Sequence, residues 1–111
     1  MISEHIRQRY LRDPLPLRLG GLAADLARMA SCADDLRDRD ALMSLFEEGK
    51  WFAEWTAPEA PIDVQAKLAE LQVALALWER QWLAGRPDPD MRLHAKAWSD
   101  QLLALSGLLG V

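Results

Sequence analysis

Only a few side chains in this sequence have the type and spacing that metal chemistry requires. The two histidines are His5 and His94, and Asp90 precedes His94 by four residues. On a helix that spacing puts a carboxylate and an imidazole one turn apart, where they could share a metal ion. Neither histidine completes the Glu-x-x-His pattern of di-iron bundles, and an acid near a helix start is explained by the helix dipole. We therefore predict no metal site.

Paired acids and paired glycines give equally weak support for catalysis. Glu47 and Glu48 are adjacent, as are two aspartates at 34 and 35, and these acids fall in polar faces or loops where charges are normally solvated. Gly20 and Gly21 lack the glycine spacing of phosphate-binding loops and lie within an apolar helical pattern. We expect no catalytic residue, no cofactor and no enzymatic activity.

Length, charge and cysteine content narrow the class of protein. The 111 residues correspond to a single domain, residues 1–111. The net charge of −4 disfavours a nucleic-acid partner. Cys32 is the single cysteine, so we expect a reducing, cytoplasmic location. The N-terminus lacks the apolar run of a signal peptide, and the apolar residues 68–77 are too few to cross a bilayer, so we expect no membrane insertion.

Four stretches rich in proline, glycine or charge interrupt the apolar periodicity, at 13–16, 34–40, 58–61 and 85–89. The five segments between them have helical spacing, and none alternates as a strand does. We predict helices over about 3–12, 15–33, 40–55, 63–84 and 88–107, with Ser3, Asp63 and Asp88 as N-caps. The predicted fold is all-α, an up-down antiparallel bundle of four long helices with a short N-terminal fifth helix.

Each long helix carries an apolar stripe that we assign to the core. The stripe of the fifth helix consists of Met91, Ala95, Trp98, Leu102, Leu105 and Leu109. The stripe of the fourth helix is the most regular, at Val64, Leu68, Leu71, Leu75, Trp78 and Trp82. The same helix has a second stripe, at Ala69, Val73, Ala76 and Leu77. Two apolar faces indicate that this helix is central or that it binds another molecule.

Five tryptophans are many for a chain of this length. Trp78, Trp82 and Trp98 lie on the apolar stripes and are assigned to the core. Trp51 and Trp55 are one turn apart on the third helix, and Trp51 is displaced from the stripe of that helix at Leu42, Leu45 and Phe52. Because a rigid indole buries a large area at low entropic cost, this pair is our main candidate for a partner-binding surface.

The N-terminal helix offers a second candidate surface. Arg7, Arg9, Arg12 and Arg18 surround Tyr10, an arrangement that suits an acidic surface or a phosphate. The alternative is a solvated helix face whose arginine stems cover apolar surface. We take Arg7, Arg9 and Tyr10 as further partner-binding candidates.

Several segments carry a resemblance to a known group of proteins. They are residues 52–58, residues 63–66, Leu71, Gln72 and Trp78, with residues 6–10 and 106–109 at the two ends. Together they resemble a family of short uncharacterised helical proteins of cyanobacterial type. The resemblance implies a bacterial cytosolic setting and no particular activity.

These observations favour a non-enzymatic protein that acts through helical surfaces, in protein–protein interaction or as a scaffold or assembly protein. We expect a protein partner or self-association, with a homo-oligomer as one form. The alternative is a helical bundle that binds a small ligand or pigment, since bundle interiors can hold such molecules against aromatic side chains.

Overall fold

A computed structural model describes residues 3–108, which form five α-helices and two short 3₁₀ turns. The helices are α1 (Glu4–Arg12), α2 (Leu15–Cys32), α3 (Arg39–Thr56), α4 (Ile62–Leu83) and α5 (Met91–Ser106). The 3₁₀ turns, Leu36–Asp38 and Ala57–Glu59, precede and follow α3. No strand occurs within residues 3–108, so the all-α prediction is confirmed.

Helices α2 to α5 form the up-down bundle that the sequence predicts. Helix α2 packs on α3 and α3 packs on α4, and α5 returns to lie along α2, where the most extensive helix–helix packing occurs. The return is antiparallel, because Arg92 at the start of α5 bonds to Asp34 beyond the end of α2, at 3.0 Å. Midway along the same interface, Ser99 Oγ donates to the carbonyl oxygen of Ala23 at 2.7 Å. Helices α4 and α5 contact each other only sparsely, which leaves a groove between them.

The core draws its residues from every helix, and the predicted stripes supply most of it. All six stripe residues of α4 are buried, as are Leu42, Leu45, Phe46, Gly49, Phe52 and Ala53 of α3. On α5, Trp98 and Leu105 keep part of their surface exposed, and the predicted stripe residue Leu109 lies outside the described residues. The 3.6-residue period therefore identifies the buried face of each long helix.

Two helix starts differ from the predicted ones. Pro61, in an extended conformation, is the residue before α4, so Asp63 lies in the first turn and is not the N-cap. In the first turn its negative charge still interacts favourably with the helix dipole. Helix α5 begins at Met91, two residues later than an Asp88 cap would require. Asp88 Oδ1 accepts the backbone N–H of Asp90 at 2.8 Å, a local bond that favours a turn over a helix. Ser3 caps α1 as predicted.

Glycine has two structural uses in the bundle. Gly85 and Gly107 end α4 and α5 with φ values of 73° and 76°, in the left-handed region that glycine adopts without strain. Gly20 and Gly21 lie in the uninterrupted helix α2. A β-carbon at Gly20 would lie 2.5 Å from Leu108 Cδ1, whereas one at Gly21 would have open space. Of these two glycines, only Gly20 therefore has a neighbouring side chain close to it, and that neighbour is the flexible end of Leu108.

Candidate functional site

Trp51 and Trp55 lie side by side on the outer side of α3, with ring centroids 5.7 Å apart. Both side chains are half-buried. Phe52 is buried in the core. Because successive residues of a helix are rotated by about 100°, Trp51 is turned toward the surface. We call Arg7, Trp51 and Trp55, with the neighbouring acids Glu47 and Glu54, the tryptophan surface.

The indole of Trp51 is held in place by a charged neighbour. Its Nε1 donates to Glu47 Oε1 at 3.0 Å, one turn earlier on α3. Lys50 Nζ bonds to Glu79 Oε1 on α4 at 2.9 Å, and this bond raises the pKa of Lys50. A groove of about 290 Å³ follows the boundary of α3 and α4 and is lined by Glu47, Lys50, Trp51, Glu54 and Gln72. The ring of Trp51 therefore forms one wall of an open, polar-edged groove.

Helix α1 brings an arginine to the other end of the tryptophan pair. The guanidinium carbon of Arg7 lies 5.9 Å from the ring centroid of Trp55, within the range of a cation–π interaction. Arg7 also pairs with Glu4 at 3.1 Å, a surface ion pair between two exposed side chains. Two groups of residues that the sequence identified separately thus meet in one surface.

Tyr10 is buried behind the tryptophan surface and packs against Phe52 and Trp55. Its side chain is only 7% exposed, and its ring stacks on Phe52 with centroids 3.9 Å apart and planes within 13°. The Trp55 centroid is 6.1 Å away. Burial raises the pKa of Tyr10 to about 12, so the hydroxyl is neutral at physiological pH. Tyr10 fixes α1 against α3, and its ring is not available for contact with a partner.

Arg9 lies apart from the tryptophans. It lines a separate open groove of about 510 Å³ together with Ile6, Tyr10, Arg12, Asp13 and Glu48. The acids in this lining offset the two arginines, so the groove is not a strongly basic pocket. Of the three N-terminal candidates, Arg7 and Tyr10 both reach Trp55, but only Arg7 is exposed.

Arg18 is buried, although the sequence groups it with the exposed arginines. Its Nε donates to the carbonyl oxygen of Asp13 at 2.9 Å, and Nη2 forms an ion pair with Glu59. Nη1 has no hydrogen-bond partner among the described residues. Because its backbone carbonyl also accepts from the Tyr10 hydroxyl, Arg18 joins three segments of chain. The charge therefore has a structural use that a solvated-face interpretation misses.

Asp25 is a buried acid that sequence reasoning did not identify. The residue is 2% exposed, and burial, followed by the negative charge of Glu48, raises its pKa to about 7. Arg28 reaches Oδ1 at 3.3 Å, while Oδ2 has no partner among the described residues. The available signal was its position three residues after Leu22 and one before Leu26, beside the apolar stripe.

The structure pairs His94 with a different aspartate from the one the sequence suggested. Nδ1 of His94 lies 2.7 Å from Asp88 Oδ2, and Asp90 provides only its backbone N–H to Asp88. Burial alone would raise the pKa of Asp88. The hydrogen bonds from Asp90 and His94 lower this pKa by more than burial raises it, so the net shift is downward. Within residues 3–108 there is no group of three or more His, Cys, Asp or Glu side chains that could hold a metal ion.

The groove between α4 and α5 is the other feature with aromatic walls. It encloses about 370 Å³ and is lined by Lys67, Glu70, Ala74, Leu77, Trp78, His94, Ala97, Trp98 and Gln101. Lys67 Nζ lies 6.0 Å from the centroid of the Trp98 ring. Trp78 is buried, whereas Trp98 keeps part of its face open, so a flat molecule could reach one indole but not the other.

Comparisons of the chain with family models, with curated proteins and with solved structures gave no match. The resemblance to a cyanobacterial family of short helical proteins therefore stays a prediction. Within residues 3–108 no helix has the length and apolar character needed to cross a membrane.

Proposed function

We propose that this protein is a non-enzymatic interaction or scaffold protein that binds a protein partner through the tryptophan surface. The observation that carries the proposal is the pair of half-exposed indoles, 5.7 Å apart, with the Arg7 guanidinium against one end. Tryptophan and arginine are the residues most enriched among those that dominate binding energy. The single cysteine favours a cytoplasmic site of action.

The surface also meets a second requirement of a binding site, which is rigidity. Trp51 is oriented by its bond to Glu47, and Trp55 packs against Phe52 at a centroid distance of 5.9 Å. Side chains that are already ordered lose little entropy when a partner arrives. Little of the binding energy is therefore spent on arranging the two rings.

The charges around the indoles define the chemistry of a suitable partner. Arg7 lies beside Trp55, and Glu47 and Glu54 line the groove that Trp51 borders. A matching partner carries apolar side chains at its centre, an acidic residue opposite Arg7 and a basic residue opposite the glutamates.

Site-specific photo-crosslinking tests this proposal. Exposed Glu54 is replaced by a photoreactive phenylalanine derivative in the native host, and exposed Lys96 on α5 is replaced in the same way as a control. We expect a covalent adduct with a different protein from position 54 only, and we expect Trp51→Ala to abolish it. The proposal fails if position 54 gives no such adduct, or if the adduct persists in Trp51→Ala.

A second candidate function, binding of a planar small ligand or pigment, rests on the groove between α4 and α5. The half-open face of Trp98 and the nearby Lys67 suit a flat, anionic aromatic molecule. Native mass spectrometry of protein from its host would show a bound mass that Trp98→Ala loses. Protein without any bound molecule, and without quenching of tryptophan fluorescence by added anionic dyes, would rule out this function.

A further inference from the structure

Helix α4 is apolar on two opposite faces. One face is the buried core stripe, and the other is an exposed, largely apolar band that we call the outer face of α4 and that Arg80 interrupts near its C-terminal end. It consists of Ile62, Ala66, Ala69, Val73, Ala76, Leu77 and Leu83. Ile62 is 80% exposed, Val73 61% and Leu83 59%. Isolated apolar residues are common on protein surfaces, but a band along a whole helix is characteristic of a contact surface.

The spacing of the outer face is that of a helix-pairing seam. From Ile62 through Ala66, Ala69 and Val73 to Ala76 the steps are four, three, four and three residues. Alanine at three of these five positions allows a second helix to approach closely, with the larger side chain of Val73 filling the centre. The band therefore fits another α-helix better than a flat surface or a small ligand.

We propose that the outer face of α4 pairs with the same face of a second copy of this chain, with the two α4 helices antiparallel. Two charged residues of α4 support this choice. Exposed Glu70 lies beside the band in the first half of the helix, where it also pairs with Lys67 at 3.4 Å, and exposed Arg80 lies on the band in the second half. Antiparallel pairing brings each acid to the other copy's base, whereas parallel pairing would put like charges together.

The register follows from the positions of these residues. A two-fold axis level with Leu75 puts Val73 of one copy opposite Leu77 of the other, and Glu70 opposite Arg80. The interface is then self-complementary, as two-fold symmetry requires. The two helix dipoles also run in opposite directions, which is the favourable arrangement. This pairing uses different residues from the tryptophan surface and does not depend on the function proposed for it.

The oligomeric state of the full chain tests the pairing. Light scattering and sedimentation across micromolar concentrations should show a dimer. Val73→Glu places two carboxylates close to the two-fold axis, and we expect it to raise the dissociation constant at least about tenfold. Leu17→Glu is the matched control, because Leu17 is a 49% exposed leucine on α2, across the bundle from α4. The control should leave the dimer unchanged.

Charge reversal tests the register and orientation. Glu70→Arg and Arg80→Glu should each weaken the dimer, and the double variant should restore it. The two single variants, when mixed, should form a heterodimer, because each position 70 then faces an opposite charge at position 80. Circular dichroism checks that all variants keep their helices.

Three results would overturn the pairing. The first is a wild-type chain that stays monomeric up to roughly 100 μM, because that excludes all but very weak association. The second is a dimer that Val73→Glu leaves intact, and the third is a double charge variant that dimerises no more tightly than the single variants. A dimer that dissociates in Trp51→Ala but not in Val73→Glu would place the contact on the tryptophan surface and also contradict the proposal. The photo-crosslinking experiment is read from adducts with a different protein, so the two proposals can fail separately.

Discussion

The hydroxyl of Tyr10 lies 2.6 Å from Thr56 Oγ1, and 46 residues of sequence separate the two. Each hydroxyl has one proton to donate. Either Tyr10 donates to Thr56 and Thr56 donates to the Phe52 carbonyl at 2.7 Å, or Thr56 donates to Tyr10 and Tyr10 donates to the Arg18 carbonyl at 3.1 Å. These buried bonds join α1, the start of α2 and the end of α3. Since Arg7 reaches Trp55 only because α1 is held there, they also determine the shape of the tryptophan surface.

Removing the Tyr10 hydroxyl should loosen α1 without opening the core. We expect Tyr10→Phe to lower the free energy of unfolding by about 1 to 2 kcal/mol, because the ring stack on Phe52 remains while buried acceptors lose a donor. Thr56→Val should cost a similar amount. Because the two hydroxyls share one bond, the double variant should cost less than the two single costs added together. Urea denaturation gives these values, and strictly additive costs would show that the two groups do not interact.

Ionisation of Asp25 should make stability depend on pH. Burial raises its pKa from 3.8 to about 7, so between these values the folded chain binds a proton that the unfolded chain has released. The free energy of unfolding should therefore fall as the pH rises from about 4 to about 7 and level off above that, by on the order of 1 to 3 kcal/mol from this residue. Asp25→Asn should be more stable than the wild type at pH 8 and nearly equal to it at pH 4.

The difference between wild type and Asp25→Asn isolates this residue from the other titrating groups. Two carboxyls with lowered pKa values, Asp35 and Asp88, act in the opposite direction at lower pH and are common to both proteins. Glu48→Gln removes the negative charge that faces Asp25 and should narrow the pH range of the effect. A difference between wild type and Asp25→Asn that stays constant with pH would mean that folding does not shift the pKa of Asp25.

The sequence predicts the helices and their buried faces well because apolar spacing directly reflects burial. It predicts the tryptophan surface in part, because Trp51 is rotated away from the stripe, but Tyr10 and Arg18 have polar groups whose partners lie in distant segments. Arginine is usually an exposed residue type. The burial of Arg18 is explained only by its hydrogen bond to the Asp13 carbonyl and its ion pair with Glu59, which the sequence does not reveal. Helix starts at proline and aspartate are uncertain for a related reason, since one side-chain bond decides between a cap and a turn.

Two glycines inside helices should respond to substitution in opposite ways. A β-carbon at Gly49 would lie 3.2 Å from both Leu75 Cδ1 and Met29 Cε, where α2, α3 and α4 meet. Gly49→Val adds still more volume there and should cost about 1 to 3 kcal/mol through overpacking. At Gly21 the space is open, so Gly21→Ala should stabilise the fold by about 0.5 to 1 kcal/mol through helix propensity.

Thermal and urea unfolding of these variants measure both effects, and Gly21→Val is the matched control for bulk. It should stay within about 0.5 kcal/mol of the wild type, because valine is a better helix former than glycine and its β-carbon would have no atom within 4 Å. Equal destabilisation by valine at both positions would mean that backbone flexibility, and not close packing, determines the use of glycine here.

Single alanine substitutions at four of the tryptophans should separate the surface from the core. Trp78 is 5% exposed, so Trp78→Ala should cost about 3 to 5 kcal/mol, the usual range for a buried large aromatic. Trp98 and Trp55 pack against the core but keep exposed area, and we expect about 1 to 3 kcal/mol for each. Trp51→Ala removes a half-exposed ring with one surface hydrogen bond and should cost less than about 1 kcal/mol.

Trp51→Ala is therefore the cleanest probe of binding, whereas Trp55→Ala mixes lost binding with lost packing. Urea denaturation followed by circular dichroism gives the four values. A cost at Trp51 equal to that at Trp78 would identify Trp51 as a core residue, and the proposed binding surface would lose its central side chain.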